Sequence, residues 1–244
     1  MTTETLESPR RRLWPWFAGL PAAALVGFLL YEVVSWPDVA ALAKNNPEST
    51  AFIDRYQRQR GPDGKPLRAD WRLVPYAAIS DHLKHAVVVA EDIDFFSHQG
   101  FDWEEMKKAW EKSRKEDVPL RGASTLSQQL VKNLWLSPSR NPWRKLKEAL
   151  LTRDLEKALA KRRILELYLN VVEFGPGIYG AEAASRRYFG KPAAALSEYE
   201  AASLAASLPR PSSWHPGASG RGYRRYVERI VERMEKTAWV RKEL

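Results

Sequence analysis

The chain has 244 residues, with 39 Lys+Arg against 30 Asp+Glu and a formal net charge of +9. Apolar residues at 44 % and charged residues at 28 % make a globular composition, neither disordered nor fibrous, long enough to bury a core in one domain with an appendage. The absence of cysteine removes disulfides, thiolate metal sites and cysteine nucleophiles without fixing the redox compartment, and the basic balance calls for an anionic partner: nucleic acid, a membrane surface or a phosphorylated substrate.

Residues 1–12 are polar and end in Arg10-Arg11-Arg12. From Leu13 to Tyr31 there is no charged residue; Glu32 interrupts, and Val33, Val34 and Trp36 continue the apolar run. This is close to the roughly 20 residues that cross a bilayer. Trp14, Trp16, Tyr31 and Trp36 suit its two interfaces. Three arginines precede the run and only Lys44 follows closely, which places the N-terminus in the cytoplasm and the bulk of the chain outside. A cleaved signal would have a shorter apolar region and a small-x-small site. A buried core helix fits less well with Gly19 and Pro21 inside it. The expectation is a membrane span over 13–36.

Residues 37–76 read as a linker and membrane-proximal segment with short helical pieces, broken by turn-like Gly61-Pro62-Asp63-Gly64. Beyond it Leu83, Ala86, Val87 and Ala90 fall at helical spacing, although Val87–Val89 suits a strand equally. One long helix is expected over about Asn141–Asn170, opened by Pro142 and filled with Leu, Ala, Glu, Lys and Arg. Further helices are expected at Ala181–Phe189, Ser197–Leu208 and Arg221–Lys236. The fold class is mainly α. Between Arg121 and Arg163 eleven basic residues face three acidic ones, so almost the whole excess charge lies on one stretch; a solvated helix face is its ordinary meaning.

Three segments hold candidate chemistry. Val89–Asp102 compresses Glu91, Asp92, Asp94, His98 and Asp102 among apolar residues, and a carboxylate against an apolar run is a candidate general base; surface acids at a helix end are the plainer alternative. Arg121–Asn133 presents Ser124, Thr125, Ser127, Gln128, Gln129, Lys132 and Asn133, donors and acceptors suited to sugar hydroxyls and a phosphate. The same residues suit an N-cap, and both readings can hold together. Arg144 and Glu148 share a helix face beside Lys145, commonly no more than a surface ion pair. Gly175–Gly180 matches G-x-G-x-x-G, but a helix is expected before it and no strand nearby, so a dinucleotide site is refused. No Ser-x-x-Lys occurs, which leaves a serine acyl-transfer site unsupported.

Together these segments resemble the glycosyltransferase family 51 module, the peptidoglycan polymerase. Glu91-Asp92-x-x-Phe95-x-x-His98-x-Gly100 is similar to its first motif, and Gly122 through Lys132-Asn133 to its second. Arg144-Lys145-x-x-Glu148, with Tyr168 and Asn170 further on, is similar to the third, Glu173–Phe189 to the fourth and Ala201–Pro211 to the last. The resemblance covers a catalytic domain over about 77–216, followed by a C-terminal helix in 217–244 packed on it. It implies a lysozyme-like domain with a large lobe and a small membrane-associated jaw lobe. It also implies the monofunctional, membrane-anchored form without a transpeptidase domain, in the bacterial inner membrane with its catalytic domain in the periplasm.

The implied reaction polymerises lipid II into β-1,4-linked glycan with inversion, releasing undecaprenyl diphosphate. Glu91 is then the base and Glu148 the second catalytic glutamate, orienting donor-side cations or a metal. Lys132, Arg144 and Lys145 meet the diphosphate, while Ser124, Thr125, Gln128, Gln129, Asn133, Tyr168 and Asn170 are substrate-binding. Asp92, Phe95 and His98 shape the base's surroundings. No cofactor is required, although a divalent cation (Mg or Mn) is allowed at the diphosphate. The partners are lipid II, the growing chain and the membrane, with cell-wall synthesis or division proteins allowed and nucleic acid excluded. Exposed Trp103, Met106 and Trp110 suit headgroups or helix packing equally. A lysozyme-like lytic enzyme and a non-catalytic wall scaffold are the competing classes.

Overall fold

The structure is a computed structural model that describes residues 14–116, 124–139, 141–218 and 220–244, with side chains from Leu20 onward. The tail with Arg10–Arg12, the interfacial Trp14 and Trp16 side chains, Arg121, and Gly122 and Ala123 of the second motif lie outside this description. The chain divides into two compact units, residues 1–38 and 39–244.

The first unit holds helix α1, Trp14–Val34, which runs through Pro21. Its apolar residues are exposed around the helix, among them Leu25, Val26, Leu30 and Val33. Among the described residues no helix is long and apolar enough to cross a membrane.

The second unit is mainly helical. Its centre is α3, Asp81–Glu91, begun by Ser80, whose hydroxyl accepts from the His82 N–H. The three valines are helical, not extended: Val87, Val88 and Val89 are all fully buried within α3. Packing on all sides outweighs their strand propensity. Against α3 lie α9, Glu198–Ala205, and α10, Arg221–Lys236, whose Tyr223, Val227, Ile230 and Met234 form its buried stripe.

A second layer is built on α5, Leu126–Trp135, which packs on α6, Pro142–Ala158, on α7, Lys161–Val171, and on α2, Ala51–Arg58. The single long helix expected over 141–170 is two helices. Leu159 and Ala160 are both extended (ψ 142° and 150°), and Leu159 is buried. Every residue here is a good helix former, so the break follows from Leu159 turning into the core, not from propensity.

Residues 39–76, expected as a linker, are folded into the second unit. Val39, Leu42 and Ile53 are core residues, and Arg163 on α7 ties the segment down by donating to the Leu42 and Asn45 carbonyls and to Asn46 Oδ1.

Three short strands were not expected. β1 (Asp70–Trp71), β2 (Glu173–Gly175) and β3 (Ile178–Tyr179) form a sheet of order β1-β3-β2, with β1 parallel and β2 antiparallel to β3. A strand therefore does precede the G-x-G-x-x-G match, contrary to the reason given for refusing it. The refusal stands on different grounds, because β2 and β3 are an antiparallel hairpin and not a βαβ unit. The glycines have local duties. Gly180 (φ 81°) opens α8, Ala181–Phe189, where a Cβ would lie 2.5 Å from the Asn170 carbonyl oxygen.

Between α3 and α5 lies α4, Trp103–Glu116, which buries no residue and leaves Trp103 69 % and Trp110 53 % exposed.

Candidate active site

Glu91 is the last residue of α3, and Asp92 directly follows it at the helix end. Asp92 is buried. Its Oδ2 accepts the Leu126 N–H at 2.9 Å, and His98 Nε2 lies 3.0 Å from Oδ1. The Gly100 N–H donates to His98 Nδ1 at 3.1 Å, which leaves Nε2 to carry the ring proton and donate it to Asp92. One carboxylate thus caps the N-terminus of α5 and fixes the loop 92–100.

The loop is anchored again by Thr125, the N-cap of α5. Its hydroxyl donates to the Gly100 carbonyl at 2.7 Å, and it forms a reciprocal capping box with Gln128. Phe95 is fully buried, with the Lys161 ammonium 4.5 Å over its ring. Lys161 in turn pairs with Glu156, which also accepts from Ser127.

This docking brings α5 alongside Glu91. Gln129 Nε2 donates to Glu91 Oε2 at 2.9 Å, and Gln129 Oε1 accepts from the Tyr168 hydroxyl at 3.0 Å. Tyr168 is fully buried, and burial, with the nearby Glu91 and Asp92 charges, pushes its phenol well above its ordinary value, so it remains a donor. The chain Tyr168→Gln129→Glu91 therefore has a fixed direction. Asn133 braces the same residue by donating to the Gln129 carbonyl at 2.8 Å.

Burial raises the Glu91 carboxyl above its ordinary range, and the Asp92 charge adds to this; the Gln129 hydrogen bond, Lys132 and Arg233 oppose it. Lys132 is held below its ordinary value, first by burial, then by Arg144 and Lys145, against the pull of Glu148 and Glu91. It makes no ion pair among the described residues. Glu148 is buried; it accepts from Arg144 Nη1 at 2.8 Å and also from Lys145 Nζ. Arg144 Nε is buried without a hydrogen-bond partner among the described residues, an uncommon state for a buried donor. Two cations thus hold one carboxylate, with Lys132 in its field.

A cleft of about 170 Å³ opens at Glu91, lined also by Asp92, Asp102, Glu105, Ser124, Thr125 and Arg233. Of the residues expected to bind substrate, Ser124, Thr125 and Asp92 line this cleft; Gln129 reaches Glu91, and Lys132 lies in the fields of Glu91, Glu148, Arg144 and Lys145. Others serve it indirectly. Phe95 and Tyr168 are fully buried, and Gln128 is committed to its capping box with Thr125. Asn170 is a strap: its side chain donates to the Val74 and Glu166 carbonyls and accepts the Val74 N–H, while its own carbonyl accepts from Trp71 Nε1. The side chains present do not make a metal cage. Glu148 and Asp92 are already occupied by protein donors, and among the described residues no three His, Cys, Asp or Glu side chains are placed to hold a metal ion together. Arg233 is the residue that sequence reading missed; it lies 142 positions from Glu91 and carries no local signal.

The Transglycosylase family model matches residues 65–235. The chain belongs to the transglycosylase family. It is similar to the biosynthetic peptidoglycan transglycosylase of Azoarcus sp., 47 % identical over 233 residues, covering 94 % of this chain and 97 % of that protein. The proteins of the same name from Laribacter hongkongensis (43 % identical, 90 % of this chain and 96 % of that protein) and Aromatoleum aromaticum (50 %, 75 % and 80 %) are similar too. The family match is wider at both ends than the 77–216 expected from motifs, in keeping with the packing of residues 39–76 and of α10.

The opposing influences on Glu91 can be separated. In the full chain, carbon NMR of the labelled carboxyl should titrate above 4.5. Gln129→Leu removes a donor that favours the ionised form, so the midpoint should rise further; a midpoint that stays put or falls would contradict the assigned hydrogen bond.

Proposed function

We propose that this transglycosylase family member polymerises lipid II into β-1,4-linked glycan by inverting transfer, releasing undecaprenyl diphosphate. The 4-hydroxyl of the acceptor's N-acetylglucosamine attacks C1 of the donor's N-acetylmuramic acid. The bond from C1 to the diphosphate oxygen breaks, the hydroxyl proton passes to Glu91, and the diphosphate leaves as an anion. Atoms and charge balance without an acid on the leaving group, which distinguishes the reaction from glycoside hydrolysis.

The observation that carries this reading is the half-buried Glu91 carboxylate with Lys132 in its electrostatic field, and with Arg144 and Lys145 in the field of Lys132. Glu91, whose carboxyl burial raises above its ordinary range, suits proton uptake from the attacking hydroxyl. Among the described residues Lys132 has no ion pair and Arg144 Nε no hydrogen-bond partner, which suits both to charge gathering on a diphosphate. Glu148 holds Arg144 and Lys145 in place between turnovers. No step is given to a metal. The names of the similar proteins from Azoarcus, Laribacter and Aromatoleum support the same activity.

The proposal extends to location. Both substrates are lipid-linked, and the uncharged run from Leu13 to Tyr31 behind Arg10–Arg12 supports a single-pass inner-membrane anchor with the catalytic unit in the periplasm. The exposed Trp103 and Trp110 of α4 suit a small jaw lobe that dips into headgroups.

Purified protein in detergent with lipid II should form glycan strands. Glu91→Gln and Lys132→Ala should each lower the initial rate by about 100-fold or more with unchanged melting. Near-normal rates in either variant would sink its assigned role, and cleavage of preformed strands without synthesis would sink the activity. Because the chain has no cysteine, single-cysteine variants report topology cleanly. Ser213→Cys should react with an impermeant maleimide in cells whose outer membrane is permeabilised, and Thr3→Cys should not; the reverse pattern rejects the anchor.

A further inference from the structure

The cations of α5 and α6 serve the leaving diphosphate, which leaves the other substrate without an assigned partner. The cleft beside Glu91 is lined by neither Lys132, Arg144 nor Lys145. Its side chains are mostly acceptors. Asp102 accepts the Glu105 N–H, and Glu105 holds Lys108, which is not among the lining residues. Asp92 and the Thr125 hydroxyl are spent on the loop and α5. Among the described residues the one cation lining the cleft is Arg233, in the last turn of α10. It is exposed, and its guanidinium makes no hydrogen bond or ion pair among the described residues.

An acceptor saccharide that brings a hydroxyl to Glu91 also brings acetamido carbonyl and ether oxygens. Carboxylates can serve the hydroxyls of such a sugar but have no proton for its carbonyls. A fork of five N–H donors on a free guanidinium does. The same charge offsets the cluster of acids that would otherwise repel a diphosphate-bearing lipid. A cation in the last helical turn is also favoured by the helix dipole, which accounts for a basic residue there but not for one lining this cleft.

Resting on the proposed polymerisation, we propose that Arg233 is an acceptor-binding residue, its guanidinium donating to carbonyl and ether oxygens of the incoming lipid-linked saccharide at the Glu91 cleft. Its electrostatic pull on Glu91, opposite in sign to that of burial, is consistent with that position.

The test varies the two substrates separately. Lipid II serves as acceptor, and a lipid-linked tetrasaccharide with its terminal 4-hydroxyl blocked serves only as donor. Arg233→Ala should raise KM for the acceptor by about tenfold, the loss expected for one charge-assisted hydrogen bond, and leave the donor KM within about twofold. Arg233→Lys should recover part of the loss, since it keeps the charge without the fork. An unchanged acceptor KM, or an equal rise for both substrates, overturns the proposal, as does a variant whose only change is a lower melting temperature. If the wild-type chain forms no product from either pair, the polymerase reading itself fails, and the two failures are distinct.

Discussion

The site depends on a single carboxylate with two duties. Asp92 accepts from the first backbone N–H of α5 and from His98, and these bonds set where α5 lies against the end of α3. All that makes Glu91 unusual follows from that docking: the Gln129 donor, the Tyr168 hydroxyl behind it, and Lys132 one turn further along α5. An N-terminal N–H that lacks a partner, or a buried imidazole N–H that lacks an acceptor, costs the desolvation of that group. The geometry is therefore held by the penalties of undoing it as well as by the bonds themselves.

Charge placement is the second theme. Burial alone favours a neutral Glu91 and a neutral Lys132, yet each lies in the field of the other. The Glu148 carboxylate, buried between Arg144 and Lys145, keeps two more cations together that would otherwise repel. Part of the basic charge is therefore organised: Arg144 and Lys145 hold Glu148, Lys132 lies in its field, and Arg233 reaches the Glu91 cleft from a distant helix. An anionic substrate would complete the balance.

Much of this was legible in the sequence, and for physical reasons. Helix α10 was read at its observed bounds because its apolar stripe repeats cleanly, and α8 because Gly180 and Gly190 bracket it. Glu91 stood out in the sequence only as one of several acids beside an apolar run, and the family resemblance singled it out. The break at Leu159–Ala160 was not legible, since only tertiary packing separates those residues from a continuing helix. Val87–Val89 were ambiguous because burial on every side erases periodicity. Strands of two or three residues are too short to alternate. The indirect duties of Phe95, Tyr168, Thr125, Gln128 and Asn170 were hidden because a motif states that a residue matters without stating what it touches. Arg233 was invisible because its relation to Glu91 is made by the packing of α10 on α3.

The central claim is that docking of α5 by Asp92 creates the reactive centre. It is tested most directly by the rate at which Asp92→Ala polymerises lipid II, measured well below its melting temperature. The account predicts a fall of about 100-fold or more, because Leu126 N–H and His98 lose their acceptor and Gln129 and Lys132 lose their register with Glu91. A folded Asp92→Ala variant that polymerises at the wild-type rate would contradict it.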